Sequence, residues 1–135
     1  MKKNYFPALA LITMLCTMQA TAQKIDLTDT RMMTQPAVSE NQIAFIYAED
    51  LWVANLDGSQ PKRLTVDEGV ESNPYFSPDG KTIAFSAEYD GNVDVYIIAA
   101  NGGILKRLTW HPSFDIVRRF SNDGKSVLYI SQRAS

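Results

Sequence analysis

Asp50-Leu-Trp-Val-Ala-Asn-Leu-Asp-Gly-Ser-Gln-Pro-Lys-Arg-Leu-Thr65 recurs without a gap as Asp94-Val-Tyr-Ile-Ile-Ala-Ala-Asn-Gly-Gly-Ile-Leu-Lys-Arg-Leu-Thr109, an offset of 44 residues. Each copy runs from an acidic residue through an apolar stretch into a Gly-containing turn and ends on Lys-Arg-Leu-Thr. The same offset carries Phe76-Ser-Pro-Asp-Gly-Lys81 onto Phe120-Ser-Asn-Asp-Gly-Lys125, and Ile83-Ala84-Phe85 onto Val127-Leu128-Tyr129. Ile43-Ala44-Phe45 precedes Ile83-Ala84-Phe85 by 40 residues. The shortfall falls in the hairpin before Asp50, where the later copy carries the longer Glu88-Tyr-Asp-Gly-Asn-Val93. Insertions belong in such loops.

Within one unit the pattern predicts four short strands, in the middle copy over about 73–76, 81–87, 94–100 and 104–109. Asp79-Gly80 and Asp123-Gly124 are hairpin signals, because glycine accepts the positive φ of turns that match strand twist. Gly102-Gly103 turns the chain again. Short strands between turn signals every ~8–12 residues predict an all-β fold, and a four-stranded unit with a period of ~40–45 residues predicts β-propeller blades. The expected architecture is an incomplete β-propeller of about two and a half four-stranded antiparallel blades, at 35–65, 73–109 and 117–135. Propellers close on ~4–8 blades, and a partial ring leaves apolar faces and strand edges open. The expectation is therefore the front of a longer protein. A homo-oligomer of partial blades is the rival.

The chain has 135 residues, 13 basic and 15 acidic side chains and a formal charge of −2. That mild acidity argues against nucleic acid or an anionic membrane surface as partner. One cysteine, Cys16, and one histidine, His111, exclude an internal disulfide framework and a cysteine- or histidine-rich metal cluster. Residues 1–22 have the form of a signal peptide: Lys2 and Lys3, an uncharged apolar run from Tyr5 to Leu15, then Ala20-Thr21-Ala22, placing cleavage after Ala22. The run is shorter than the ~20 apolar residues a membrane span needs. Cys16 lacks a lipobox, with Thr13 where an aliphatic residue belongs. Residues 23–34 read as a linker, and the mature chain is expected outside the cytoplasm, in the periplasm and off the membrane.

No catalytic, cofactor or metal residue is assigned from these residues. A Ser/His/Asp set can be written from Ser113 or Ser77, His111 and Asp79 or Asp115, but no Gly-x-Ser-x-Gly elbow fixes it. His111 reads as a loop residue between two blades. Asp90-Gly-Asn-Val-Asp94 begins like a calcium loop but has Val95 and Asn101 where an EF-hand wants Gly and Glu, so a solvated hairpin loop is expected. Lys62-Arg63 and Lys106-Arg107 invite a basic ring for peptide carboxylates. The preferred reading is the solvated face of each last strand, with Leu64 and Leu108 facing inward. Trp52, Tyr96, Phe45, Phe85 and Tyr129, repeated at the blade period, read as inter-blade core.

Asp50-Leu-Trp52, Lys62-Arg-Leu-Thr65, Glu71-Ser-Asn-Pro-Tyr-Phe-Ser-Pro-Asp-Gly-Lys81, Glu88-Tyr-Asp-Gly-Asn-Val-Asp-Val-Tyr96, Arg107-Leu-Thr-Trp-His-Pro112 and Asp123-Gly-Lys-Ser-Val-Leu128 follow in this order. In that order they resemble the amino-terminal propeller of bacterial tricorn proteases over nearly all of 31–131. The shorter Ser-Pro-Asp-Gly-Lys string is shared by TolB-like propellers and those of dipeptidyl peptidases. The resemblance implies a propeller that gates peptide access to a serine peptidase whose catalytic residues lie in later domains, with no cofactor. Its partners would be peptide substrates and the protein's own downstream domains. Arg119 departs from the family pattern, which has a small residue there, and is expected at a blade edge or channel rim. Two rivals remain: a TolB-like periplasmic binding module without catalysis, and a dipeptidyl peptidase with an α/β-hydrolase domain. Against the first, only about a dozen residues separate the cleavage site from the first blade, where TolB-like proteins place an α/β domain.

Overall fold

Alternating side chains decide how these strands stack. In Thr82–Glu88 five consecutive residues are buried, so both faces of that strand are covered, as in the middle of a stack of sheets. The computed structural model describes residues 33–133, and the signal peptide expected at 1–22 lies outside them. The strands are β1 Met33–Val38, β2 Gln42–Tyr47, β3 Asp50–Asn55, β4 Lys62–Arg63, β5 Val70–Phe76, β6 Thr82–Glu88, β7 Val93–Ala99, β8 Lys106–Arg107, β9 Asp115–Phe120 and β10 Val127–Ser131. All pairings are antiparallel, and there is no helix among the described residues.

β1-β2-β3-β4 and β5-β6-β7-β8 form two four-stranded sheets in sequential order, and β9 pairs with β10 in a third. This is the predicted all-β meander. Met33 and Thr34, expected in the linker, open β1, and the third sheet opens at Asp115. The outer strands β4 and β8 have two residues each, and β8 is shorter than the predicted 104–109. Leu64 and Leu108 each add one amide bond, to the carbonyls of Leu51 (2.8 Å) and Val95 (2.7 Å).

The hairpin after β5 is built by its own residues. The Ser77 hydroxyl donates to Asp79 at 2.6 Å and accepts the Thr82 amide at 3.0 Å. Gly80, at φ +69°, donates to the Ser77 carbonyl at 2.8 Å. Ser121, Asp123 and Gly124 repeat the arrangement. The Ser77 hydroxyl and the Lys81 amide hold the exposed Asp79 carboxyl below its ordinary pKa.

Two apolar layers lie between the sheets. Ala44, Ile46 and Leu51 of the first meet Ile83, Phe85, Ala87, Tyr96 and Ile98 of the second. On the other face of the second, Ala84 and Val95 meet Val117, with Phe120 and Val127 alongside. Residues paired across β6 and β7, such as Phe85 with Tyr96 and Ala84 with Ile97, share a face, so each layer follows from period-two alternation.

Candidate functional site

The first strand of each sheet forms a common wall, since β5 lies against both β1 and β9. Each is interrupted by an irregular register: between Thr34 and Ala37, between Ser72 and Tyr75, and opposite Leu128–Tyr129. In the first two the break holds an X-Pro pair, Gln35-Pro36 and Asn73-Pro74, with Gln35 at φ +53° and Asn73 at φ +52°. Proline cannot donate to the ladder, so a bulge is where a strand tolerates it. The Gln35 side-chain carbonyl accepts the Asn73 amide at 2.5 Å, tying one bulge to the next. Gln35 to Val38 and Asn73 to Phe76 line a groove of about 490 Å³ between the two strands. In β9 the corresponding stretch carries Arg118 and Arg119, both exposed. Arg119 lies on a strand flanked only by β10, the edge position expected for it.

Charged groups concentrate where the third strand of each unit begins. The Arg63 guanidinium donates to Asp50 at 2.7 Å. One unit later Arg107 donates to the fully buried Asp94 at 2.5 Å, to Asp90 at 2.9 Å and to the Thr109 carbonyl at 2.8 Å. The Thr109 hydroxyl donates to Asp94 at 3.0 Å and accepts the Val95 amide at 3.0 Å. A buried carboxylate is tolerable only with this density of donors. Lys62 donates to the Asn101 carbonyl at 2.6 Å, joining the outer edges of the first two sheets. Both arginines are ion-paired on a face that is solvated as expected, Lys62, Arg63 and Lys106 being exposed. The reason is geometric: β4 and β8 pair with β3 and β7 in the register that puts Arg63 opposite Trp52 and Arg107 opposite Tyr96, within reach of the carboxylates at those strand starts. Leu64 and Leu108 do face the apolar layers.

A second acidic position was not visible as a motif. Glu71, 1% exposed at the start of β5, reaches from the second sheet to the first. It accepts the Leu51 amide, the Thr65 hydroxyl at 2.6 Å and the Tyr89 hydroxyl. Its amide donates to the Glu49 carbonyl at 3.1 Å. Burial pushes the Glu71 carboxyl above its ordinary pKa despite the donors from Thr65, Tyr89 and Leu51. Burial, then the bond to Glu71, likewise raises Tyr89. Asp115 occupies the same place one repeat later and is paired with Arg133 at 2.7 Å. Burial acts to raise it, but Ser131, Arg133 and Thr109 outweigh burial and leave it lowered. The 44-residue offset that aligns Thr65 with Thr109 also aligns Glu71 with Asp115, and that was the available signal.

The Ser/His/Asp candidates are not brought together. Ser77 and Asp79 sit in the β5–β6 hairpin, at the opposite end of the strands from the β8–β9 loop that holds His111. Nδ1 of His111 accepts the Ser113 amide at 3.1 Å in a local turn, and Asp115 is taken by Arg133. In the calcium-like loop, Asp90 and Asp94 share the Arg107 guanidinium, while Asn92 donates to Asp94 and to the His111 carbonyl. Among the described residues no three acidic, histidine or cysteine side chains gather as a metal site. Tyr96 lies between sheets against Phe85 and Tyr89. Trp52, its repeat partner, lies on the outer face of the first sheet, edge-on to Tyr47, with its indole N–H buried and unpaired. There Met33, Pro36, Ile43, Phe45, Ala54 and Leu56 help line an apolar cavity of about 310 Å³.

The family model for the tricorn protease N-terminal beta propeller domain matches residues 30–135. Tricorn protease homolog 1 of Streptomyces coelicolor is 37% identical over 90 residues, which are 66% of this chain and 8% of that protein. A crystal structure of the tricorn protease aligns with TM-score 0.62 and 26% identity, over 69% of this chain and 10% of that one. TolB from Acinetobacter baumannii aligns with TM-score 0.61 and 28% identity, over 70% of this chain and 25% of that one. The chain thus spans only a small part of the length of these proteins.

Proposed function

Because this chain belongs to the tricorn protease N-terminal β-propeller family, we propose that it supplies the first blades of the propeller of an exported tricorn-like serine peptidase. In that role it is scaffold and gate for peptide substrates, and the nucleophile and its base come from elsewhere in the protein. The observation that carries this reading is the family match across 30–135. The wall of β1, β5 and β9 supports it: three first strands side by side are what a propeller turns toward its channel. Their bulges take the Gln35 and Asn73 regions out of the ladder beside the groove, the place along this wall for an extended peptide to lie. The three sheets, spanning 33–63, 70–107 and 115–131, would be completed by other blades of the longer protein, one of them covering Trp52 and the 310 Å³ cavity.

The test uses the full-length protein in which this propeller occurs. Short fluorogenic peptides should be cleaved, and a serine-directed fluorophosphonate should label the protein and abolish cleavage. Absence of both, with stable capture of a folded protein partner, would replace this reading with the TolB-like binding module, which the comparable likeness to TolB favours as the second choice. A labelled serine within a Gly-x-Ser-x-Gly elbow would move the parent to the dipeptidyl peptidase class.

Export rests on Lys2, Lys3, the apolar run to Leu15 and Ala20-Thr21-Ala22. N-terminal sequencing of the protein recovered from its native cell should read Gln23 as the first residue. A protein starting at Met1 in the cytoplasmic fraction would sink the export proposal.

A further inference from the structure

Two crossings join the sheets, residues 64–69 from the first to the second and 108–114 from the second to the third. Antiparallel order puts both at the end of the stack where β1, β5 and β9 begin, beside the β2–β3 and β6–β7 hairpins. At that end the same apolar positions stand exposed in each repeat. Val66 is matched by Trp110 and Val70 by Phe114, both at the 44-residue offset. Val66 and Trp110 are 74% and 69% exposed, and Val70 and Phe114 are 50% and 46% exposed. Elsewhere exposure does not repeat: Leu56 corresponds to the buried Ala100, and Ile104 to the polar Gln60. Scattered apolar residues on a surface are ordinary, whereas exposure that returns at the blade period on one end marks a surface kept for contact.

The charges at this end have one sign to spare. Arg63 is paired with Asp50, Arg107 with Asp90 and Asp94, and Arg133 with Asp115. Glu49 in the β2–β3 hairpin and Asp67 and Glu68 in the first crossing are exposed. No cation among the described residues comes within ion-pair distance of these three. The crossings thus set apolar side chains among carboxylates. Such a rim repels an anionic lipid surface, and a purely apolar cover would strand the carboxylates without water or counter-charge. The complementary surface is apolar with lysine or arginine around it.

We propose that this end of the stack docks another domain of the same longer protein, one that presents apolar side chains flanked by lysines and arginines. The proposal deepens the peptidase reading above and takes from it that the propeller is one part of a larger chain. The occupant follows from length: this chain spans only a small part of its relatives, which leaves most of such a protein to be placed against the propeller. Position agrees with it. β1, β5 and β9 begin at this end, so a domain seated on the rim receives whatever passes along their wall. Trp110 and Phe114 are the anchors, since large stiff side chains supply most of the energy of such contacts. Val66 and Val70 are their smaller equivalents one blade earlier.

The experiment is hydroxyl-radical footprinting of the full-length protein, read by peptide mass spectrometry and corrected for the intrinsic reactivity of each side chain. Trp110 and Phe114 should be oxidised several-fold more slowly than Ile104, which is 94% exposed in the β7–β8 turn at the opposite end of the strands. On the same preparation a carbodiimide couples carboxylates to amines, taking up the water lost as the amide forms. It should join Glu49, Asp67 or Glu68 to lysines outside this propeller in the same chain. Oxidation of both aromatics at the rate of Ile104 would overturn the docking face, and that measurement needs no variant to fold. Coupling only to Lys24, or only between heavy and light copies in a mixed sample, would also overturn it, because the cover would then be this chain's own start or a second copy. Protection without any coupling would remove the basic character assigned to the partner. Peptide cleavage, measured in parallel, separates the two readings: cleavage with both aromatics fully oxidised sinks the docking face alone, and protection without cleavage sinks the peptidase alone.

Discussion

Gly69→Ala is expected to destabilise the chain by roughly 3 kcal/mol or more, at the upper end of what one methyl group does. Gly69 lies in the link between the first two sheets at φ +152°. A Cβ there would stand 2.2 Å from the Glu88 carbonyl oxygen and 2.9 Å from the Tyr89 ring. The oxygen cannot retreat, because Glu88 is held in register between Val70 and Val93. The ring cannot swing away without losing the hydroxyl bond to Glu71. Gly58→Ala is the control: its φ is +79° and nothing lies within 4 Å of the added Cβ, so it carries conformational strain alone, about 1–2 kcal/mol. Urea unfolding of both variants of the full chain measures the difference. If Gly69→Ala were no worse than Gly58→Ala, the close approach of the link to Tyr89 would be wrong.

Phe85→Ala is the second large effect, a loss of about 3–5 kcal/mol. Phe85 is fully buried in the layer between the first two sheets. It is paired across the ladder with Tyr96, the ring centres 6.0 Å apart and the planes 26° from parallel. Removing the ring takes away its transfer free energy and leaves a cavity that two hydrogen-bonded sheets collapse into only in part. A domain of this size has only about 5–15 kcal/mol in total, so the urea midpoint should fall steeply with little change of slope. Phe45→Ala removes the repeat-equivalent ring, which borders the open cavity of the first sheet, and should cost less. Equal losses at the two positions would contradict the stacking order of the sheets.

Much of this was legible because it is local. The recurrence of Asp50–Thr65 as Asp94–Thr109 gave the repeat, and the Asp-Gly pairs gave the hairpins, since Ser77, Asp79 and Gly80 hydrogen-bond among themselves. The recurrence of Ile83-Ala84-Phe85 gave a strand, whereas the cover on both of its faces came from the stacking of the sheets. Less legible were the bulges at Gln35-Pro36 and Asn73-Pro74. Proline marks a strand interruption, but the hydrogen bond that ties the Gln35 bulge to the Asn73 bulge joins residues 38 apart and exists only once the two first strands lie side by side. Lys62-Arg63 and Lys106-Arg107 are largely solvated, as expected, but their ion pairs were not legible, because a basic pair on an edge strand looks alike whether or not a carboxylate stands opposite.

The sequence by itself determined the unit, its four strands, its turns and its family, all of which depend on residues near one another in the chain or on a regular offset. Tertiary structure alone decided which equivalent positions are chemically alike. Trp52 and Tyr96 align, yet only Tyr96 is enclosed between two sheets among the described residues. Glu71 and Asp115 align, yet one is bound by hydroxyls and the other by a guanidinium. Burial and counter-charge are properties of the seam between sheets, set by side chains about 20 residues apart and by the stacking that brings them within hydrogen-bond reach.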